Sequence, residues 1–267
     1  MRHQLPVPHP YDFERSTYRF RLFGDDLASR WQRGALHRVL ASGLPVRIAP
    51  DGVTAYGSYG EADEREVHHL LGGDFDLRGF AAVHPELAAR APGFRPPLLS
   101  DPFEMLVTSV TAQQISLRAA AVMRGLFVRR FGERVEHEGV EWWRFPRQDE
   151  VRGGDLDGLK LSRAKIRTIA ALADADLGGL PTLDDDAVIA RLTELPGVGR
   201  WTSEWFLARC LGRPAVVAAG DLGVRKAVAA WFAREPIWPE ARVREAMAPF
   251  GEHTNLAVHH MLTPEGG

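Results

Sequence analysis

The stretch that decides the fold reads Leu195-Pro196-Gly197-Val198-Gly199-Arg200-Trp201-Thr202. Pro196 ends a preceding helix, and Gly197 and Gly199 permit a tight turn that other atoms can approach closely. A second helix then begins at the turn and points its free N-terminal amides towards it. Such amides, together with the positive end of the helix dipole, form an anion site. The stretch therefore predicts a helical hairpin over 195–202.

A phosphate group is the anion that fits this hairpin, because Arg200 and Thr202 at the start of the second helix are both able to contact phosphate oxygens. The carbonyl groups before the turn face the other way. Those of Thr193, Leu195 and Val198 are candidate ligands for a monovalent cation, Na⁺ or K⁺, that would bridge protein and phosphate. The motif alone leaves one alternative open, a plain joint between two helices.

A single carboxylate follows one helix later, in the segment Gly220-Asp221-Leu222-Gly223. Ten helical residues span about 15 Å, and a return loop brings the carboxylate back beside the hairpin. Near a flipped nucleotide, a carboxylate stabilises positive charge at the sugar carbon or activates the attacking water. The two features together indicate an enzyme that acts on a base in DNA. Taken alone, Asp221 would be assigned as a helix N-cap.

Composition sets wide bounds on the remaining possibilities. The chain has 267 residues, 45% hydrophobic and 25% charged, which suits one large domain or two modest ones. It has no run of eighteen apolar residues and no apolar core of a signal peptide near its start, so we expect a cytoplasmic protein. The lone Cys210 excludes an intramolecular disulfide and a cysteine-ligated iron–sulfur cluster. The net charge of −2 means that any DNA contact depends on a local patch or on backbone amides.

Residues 1–70 differ in pattern from the remainder. Alternating apolar and polar residues over 16–22 predict a strand, and two further strands flank the turn Pro50-Asp51-Gly52. We therefore expect a small α+β domain with an antiparallel sheet over 1–70 and a helical domain over 71–267. Asp101, Pro102 and Glu104 predict the start of a helix with a capping box. Other helices are expected at about 117–131, 162–172, 184–195, 202–211, 223–233, 239–249 and 253–262.

The segment from Leu195 to Arg225 resembles the helix-hairpin-helix (HhH-GPD) DNA glycosylase superfamily. Gly199-Arg200-Trp201-Thr202, followed by Trp205 and Ala208-Arg209, resembles its 3-methyladenine DNA glycosylase II (AlkA-like) group. Asp101-Pro102-Phe103-Glu104, Ala112-Gln113-Gln114-Ile115-Ser116 and the segment 158–165 keep the order of that family. The resemblance covers roughly residues 70–262 and implies a two-subdomain helical glycosylase preceded by a small sheet domain.

The resemblance assigns the catalytic role to Asp221. Trp201 falls where glycosylases with lyase activity carry a lysine that forms a Schiff base, so the resemblance implies hydrolysis alone. Trp201, Trp205 and Leu222 fall on positions of the base pocket. The two indoles lie four residues apart and share a helix face, where they would attract a cationic alkylated purine with about 0.5–2 kcal/mol. The alternative is that both tryptophans belong to the core.

The same resemblance implies a set of DNA contacts. Gln114 falls on the position that fills the gap left by a flipped base, which must leave the stack to be reached. The other expected contacts are Gln113, the hairpin residues Gly197, Gly199, Arg200 and Thr202, and the basic residues Lys160, Arg163 and Lys165. A helix-terminal glutamine and a solvated charged face are the alternatives for Gln114 and for the basic stretch.

Two departures from the family concern the pocket. The family carries an aromatic residue in a Trp-Arg-Ser segment near its C-terminus, whereas residues 250–255 here begin with Phe250 and contain no tryptophan, and Leu222 replaces an aromatic neighbour of the aspartate. The expected function is a monofunctional glycosylase that excises 3-methyladenine and 7-methylguanine in base excision repair. We expect a monomer that acts on damaged double-stranded DNA at the nucleoid and requires no cofactor. The alternatives are a glycosylase for hypoxanthine, uracil or oxidised purines, and a non-catalytic binder of damaged DNA.

Overall fold

A five-stranded antiparallel sheet forms the N-terminal layer of the computed structural model, which describes residues 1–22, 26–137 and 139–263. Its strands are β1 (Arg2–His3), β2 (Ser29–Gln32), β3 (Ala35–Val39), β4 (Pro45–Ala49) and β5 (Gly52–Ala55), in the spatial order β1-β5-β4-β3-β2. The predicted strands on both sides of the turn at 50–52 are β4 and β5, which pair antiparallel with Val46 opposite Ala55. The helix α2 (Glu61–Leu70) packs Val67 and Leu70 against the apolar face of this sheet.

The strand predicted over 16–22 is wrong, because these residues belong to the helix α1 (Phe13–Leu22). Asp12 accepts a hydrogen bond from the backbone N–H of Arg15 and so holds the start of the helix. The buried face consists of Phe13, Ser16 and Thr17, at helical spacing. Small polar residues occupy two of these three buried positions, so the apolar pattern of the sequence does not reveal the helical period.

The helical part follows the predicted elements closely. Its first helices are α3 (Leu77–Val83), α4 (Pro85–Ala89), α5 (Pro102–Ala112) and α6 (Leu117–Phe131). A short helix α7 (Gln148–Val151) precedes α8 (Arg163–Asp174), α9 (Asp185–Thr193), α10 (Arg200–Arg209), α11 (Leu222–Ala233), α12 (Glu240–Met247) and α13 (Thr254–Leu262). The helices α5 and α10 are buried along most of their length and form the centre of the core. The predicted fold class, mainly helical with a small antiparallel sheet, is confirmed.

One buried ion pair joins the sheet to the central helix. Asp101 caps α5 as expected, accepting from the backbone N–H of Phe103 at 2.9 Å. The side chain of Glu104 instead turns to Arg38 on β3, which donates two hydrogen bonds to it, one of 3.0 Å to Oε1. Both side chains are almost fully buried, at 5% and 4% exposed. Glu104 therefore links two layers and does not complete the predicted capping box.

A second hairpin was not expected from the sequence. It consists of β6 (Glu133–His137) and β7 (Val140–Arg144), which pair antiparallel. Trp142 on β7 contacts His37 on β3, with the ring centres 4.8 Å apart. The division of the chain into domains at 70/71 stays a prediction. Leu27 and Ala28, which precede that boundary, pack into the core of the helical part. In the part of the chain that the structure describes, no helix has the length and apolarity needed to cross a membrane.

Candidate active site

Asp221 lies at the N-terminus of α11, and three N–H groups hold its carboxylate. Oδ1 accepts from the backbone N–H of Val224 at 3.1 Å, so the residue is an N-cap, as the simpler assignment had it. Oδ2 accepts from the indole Nε1 of Trp201 at 2.9 Å and from that of Trp205 at 3.2 Å. These three donors fix the orientation of the carboxylate.

A cavity of about 360 Å³ opens beside this carboxylate. Ligand pockets are typically about 300–1,000 Å³, so the cavity has the size for a nucleobase. Helices α1, α5, α6, α10 and α11 all contribute to its wall. Its apolar lining includes Pro97, Leu98, Met105, Ala112, Leu117 and Leu262.

The structure places both predicted tryptophans on this wall, and both also pack against the core. Trp205 is only 8% exposed. The guanidinium of Arg209, one turn along the same helix, lies 4.5 Å from the Trp205 ring centre, and His259 contacts the ring edge-on. Leu222 differs from its predicted place, because it is exposed and does not line the cavity. As the first residue of α11, it projects away while Gly223 and Asp221 face the cavity.

Residues 1–70 contribute to the cavity through α1. Arg19 and Phe20 on this helix both line it. Phe20 supplies an aromatic side chain to a pocket that lacks the expected C-terminal one. Neither residue was predicted for the site, because the alternating pattern of this segment predicts a strand. On a helical wheel, Phe20 lies on the same face as Phe13, Ser16 and Thr17, and Arg19 lies at the edge of that face.

The two glycines of the predicted hairpin, which connects α9 to α10, have different tasks. Gly197 has φ +78°, and a Cβ at this position would lie 2.1 Å from Oγ1 of Thr168 on α8. Its missing side chain thus permits close packing of the turn on a neighbouring helix. Gly199 is extended and is the N-cap of α10, and no atom of the described residues lies within 4 Å of the position of a Cβ. The space for a phosphate oxygen is therefore at Gly199.

Two predicted phosphate ligands at this turn point in opposite directions. Arg200 is exposed, with 60% of its side chain accessible, and its Nε donates to Glu204 at 2.8 Å. Thr202 is 1% exposed, and its hydroxyl accepts a hydrogen bond from Gln113. The side chain of Thr202 is therefore turned inward, away from any bound DNA, and only its backbone amide remains near the helix N-terminus.

The loop after α5 carries the predicted wedge. Gln114 is exposed and has φ +57°, a left-handed conformation that is uncommon for a residue with a side chain. Gln113 points inward and donates to the carbonyl of Gly197 and to the hydroxyl of Thr202, both at 3.1 Å. Lys165 donates to the carbonyls of Thr111 and Gln113 at 2.9 and 3.0 Å, and burial lowers its pKa.

Gln113 and Lys165 thus connect the wedge loop to the hairpin and to α8, a structural role that their sequence pattern does not predict. Lys160, three residues before α8, and Arg163, the first residue of α8, are exposed and remain candidates for contact with the DNA backbone. The proposed cation ligands stay a prediction. Among them, the carbonyl of Leu195 already accepts from the N–H of Val198 at 3.1 Å, which leaves it one lone pair.

Three kinds of comparison with known proteins were informative to different degrees. No family model matches the chain, whereas individual relatives and solved structures do. The chain is 36% identical over 172 residues to a probable bifunctional transcriptional activator/DNA repair enzyme AlkA of Mycobacterium tuberculosis, a match of 62% of this chain and 33% of that protein. It is 32% identical over 187 residues to DNA-3-methyladenine glycosylase 2 of Escherichia coli, covering 67% of this chain and 64% of the relative. The chain thus spans a third of the first relative and less than two thirds of the second.

A solved structure extends the likeness to the whole chain. The 3-methyladenine DNA glycosylase from Archaeoglobus fulgidus superposes with a TM-score of 0.86 at 27% identity. The match covers 98% of this chain and 97% of that one, so it includes the N-terminal sheet and α1.

Proposed function

We propose, from the premise that this chain belongs to the HhH-GPD DNA glycosylase superfamily and to its AlkA-like group, that it excises alkylated purines from DNA. Its substrates are 3-methyladenine and 7-methylguanine in double-stranded DNA, and its product is an abasic site. One observation carries this proposal. A carboxylate held by three N–H donors stands at the edge of a cavity that has the size for a base.

The reaction follows from the position of Asp221. The C1′–N9 bond breaks, its electron pair goes to the base, and positive charge develops on the sugar. The carboxylate stabilises that charge or orients the water that attacks C1′. The water oxygen then bonds to C1′; one water proton stays on the new hydroxyl and the other passes to the Asp221 carboxylate or to solvent, because the cationic base leaves neutral and takes no proton. Trp201 and Trp205 keep the carboxylate in place through their indole N–H groups.

We propose that the enzyme has no lyase activity. A lyase needs a lysine amine that attacks C1′, and Trp201 occupies the matching position. Within the described part of the chain, no lysine lines the cavity, and the Lys165 ammonium is engaged with two carbonyl groups. Borohydride treatment of the enzyme with a damaged duplex should therefore trap no covalent complex, whereas a trapped band on a denaturing gel would contradict this assignment.

The DNA backbone would be held by the amides at Gly199, by Arg200 and by the exposed Lys160 and Arg163. Gln114 would fill the gap that the flipped base leaves in the stack. A monovalent cation at the hairpin would bridge backbone carbonyls and a phosphate. We propose that the protein works as a monomer at the nucleoid in the cytoplasm.

A panel of duplexes tests the proposal directly. Each duplex carries one 7-methylguanine, hypoxanthine, uracil or 8-oxoguanine, and methylated DNA supplies 3-methyladenine. Free base is measured by chromatography under single-turnover conditions. We expect release of 3-methyladenine and 7-methylguanine. Binding to these duplexes without release of any base would instead identify a non-catalytic damage binder, and exclusive release of uracil or 8-oxoguanine would assign another glycosylase specificity.

A further inference from the structure

Arg209 is a buried arginine without an acidic partner. It lies at the end of α10, lines the cavity beside Asp221 and is only 8% exposed. Among the described residues it takes part in no ion pair, and its Nε atom is buried without a hydrogen-bond partner. Buried charges are normally paired, because their removal from water is otherwise costly. The fold thus keeps this charge at the expense of stability, which points to a role in the site.

The guanidinium of Arg209 contacts the indole ring of Trp205, one turn earlier on the same helix. Its central carbon lies 4.5 Å from the ring centre, within the range of a cation–π interaction. His259 on α13 packs edge-on against the same ring, with the ring centres 6.0 Å apart. Side chains of two helices therefore hold the plane of this indole.

The orientation of the Trp205 ring matters because its N–H group holds the carboxylate of Asp221. Nε1 of Trp205 donates to Oδ2 at 3.2 Å, whereas Nε1 of Trp201 donates to the same oxygen at 2.9 Å. The longer of the two bonds is the one more easily lost when a ring turns. A cation over the ring also draws electron density from it, which makes the N–H group a stronger donor.

A second arginine–tryptophan pair in the chain serves as an internal comparison. Arg242 lies 3.8 Å from the ring centre of Trp238, whose Nε1 donates to the Glu235 carboxylate at 2.8 Å. Arg242 also binds Glu235 directly at 3.0 Å, and 47% of its side chain is exposed. Its charge is therefore paired and solvated. Arg209 has the same contact with an indole that donates to a carboxylate, but neither the direct ion pair nor the exposure.

We propose that Arg209 is a positioning residue, which acts on the Asp221 carboxylate through the indole of Trp205. Its cation holds the ring in place and strengthens the N–H donor that fixes Oδ2 during base release. The inference rests on the proposed function, because it takes Asp221 as the residue that acts on the sugar. The stability lost by burying an unpaired charge is then a requirement of the site.

The variants Arg209→Met and Arg209→Lys test this role. Methionine is an unbranched side chain without charge, so the urea midpoint of unfolding should stay unchanged or rise. Single-turnover release of 7-methylguanine should nevertheless slow about three- to thirtyfold, the range that corresponds to one cation–π contact, with the affinity for an abasic-site duplex retained. Arg209→Lys restores a cation and should recover most of the rate.

A spectroscopic readout follows the Trp205 N–H group directly and requires no DNA. In a proton–nitrogen NMR spectrum, in which Trp205→Phe identifies the signal, the indole proton of Trp205 should move upfield in Arg209→Met because its hydrogen bond weakens. Arg242→Met is the matched control, since it removes the same kind of contact from Trp238, outside the cavity. It should change the Trp238 signal and leave base release and the Trp205 signal unchanged.

Each readout can overturn the inference. Release at the wild-type rate by Arg209→Met, or an unchanged Trp205 signal, would refute the link to Asp221. Loss of stability together with rate, without recovery in Arg209→Lys, would show a structural role only. A wild-type enzyme that releases no base would contradict the proposed function, whereas the indole signal and the urea midpoint would still decide whether Arg209 holds Trp205.

Discussion

The two hairpin glycines should respond to alanine in opposite ways. Gly197→Ala forces a side chain into a left-handed conformation, which costs about 1–2 kcal/mol. It also places a methyl group 2.1 Å from the Thr168 hydroxyl oxygen. Such overpacking costs about 1–3 kcal/mol, so the free energy of unfolding should fall by about 2–5 kcal/mol. Gly199→Ala meets no atom and keeps an extended backbone, so its cost should stay near 0.5 kcal/mol.

Urea unfolding of both variants and binding to an abasic-site duplex separate these effects. Gly199→Ala should weaken DNA binding about tenfold, the value of one lost charge-assisted hydrogen bond to phosphate, with little change in stability. In the double variant Gly197→Ala/Thr168→Ala, the steric part of the cost should disappear while the backbone part remains. Equal destabilisation by alanine at the two glycines would refute this division of tasks, and so would unchanged DNA binding by Gly199→Ala.

Three further predictions concern charge. Glu104→Gln leaves the buried Arg38 guanidinium without its counter-ion and should lower the free energy of unfolding by about 3–5 kcal/mol in urea; a loss below about 1 kcal/mol would contradict the role of this pair. Burial lowers the pKa of His260 to about 4. Because the unfolded chain binds a proton there that the folded chain does not, His260 should contribute a fall in stability of up to about 3 kcal/mol as the pH drops from about 6.5 to about 4, and His260→Gln should remove this contribution while that of His259, whose pKa burial also lowers to about 4, remains. Arg200→Met should reduce the salt dependence of DNA binding by about one phosphate contact, whereas Lys165→Met should leave that slope unchanged.

The sequence predicts correctly those features that depend on residues close together in the chain. The hairpin motif predicts the turn before α10, and the spacing from it predicts that Asp221 returns beside the hairpin, where the structure pairs it with the indoles of Trp201 and Trp205. Helix caps such as Asp101 are equally local, because the side chain bonds to an amide two or three residues away.

The site residues that the sequence did not predict are positioned by contacts between segments far apart in the chain. Arg19 reaches the cavity only because α1 packs against the helical part, and its buried face of small polar residues conceals the helical period. Gln113 and Lys165 carry side chains typical of DNA ligands, yet the fold directs them to backbone carbonyls 52 to 84 positions away. Residue type and local spacing contain no information about such partners.

The central claim is that Asp221 acts on the sugar while the hairpin holds the backbone. Single-turnover release of 7-methylguanine by Asp221→Asn, together with the affinity of this variant for an abasic-site duplex, tests it most directly. Asparagine keeps the size of the side chain and an oxygen that can still accept from Val224, but it removes the negative charge. The account predicts at least a hundredfold slower release, roughly the effect of removing one electrostatic stabiliser of a transition state, with DNA affinity preserved. Release at the wild-type rate by Asp221→Asn would contradict it.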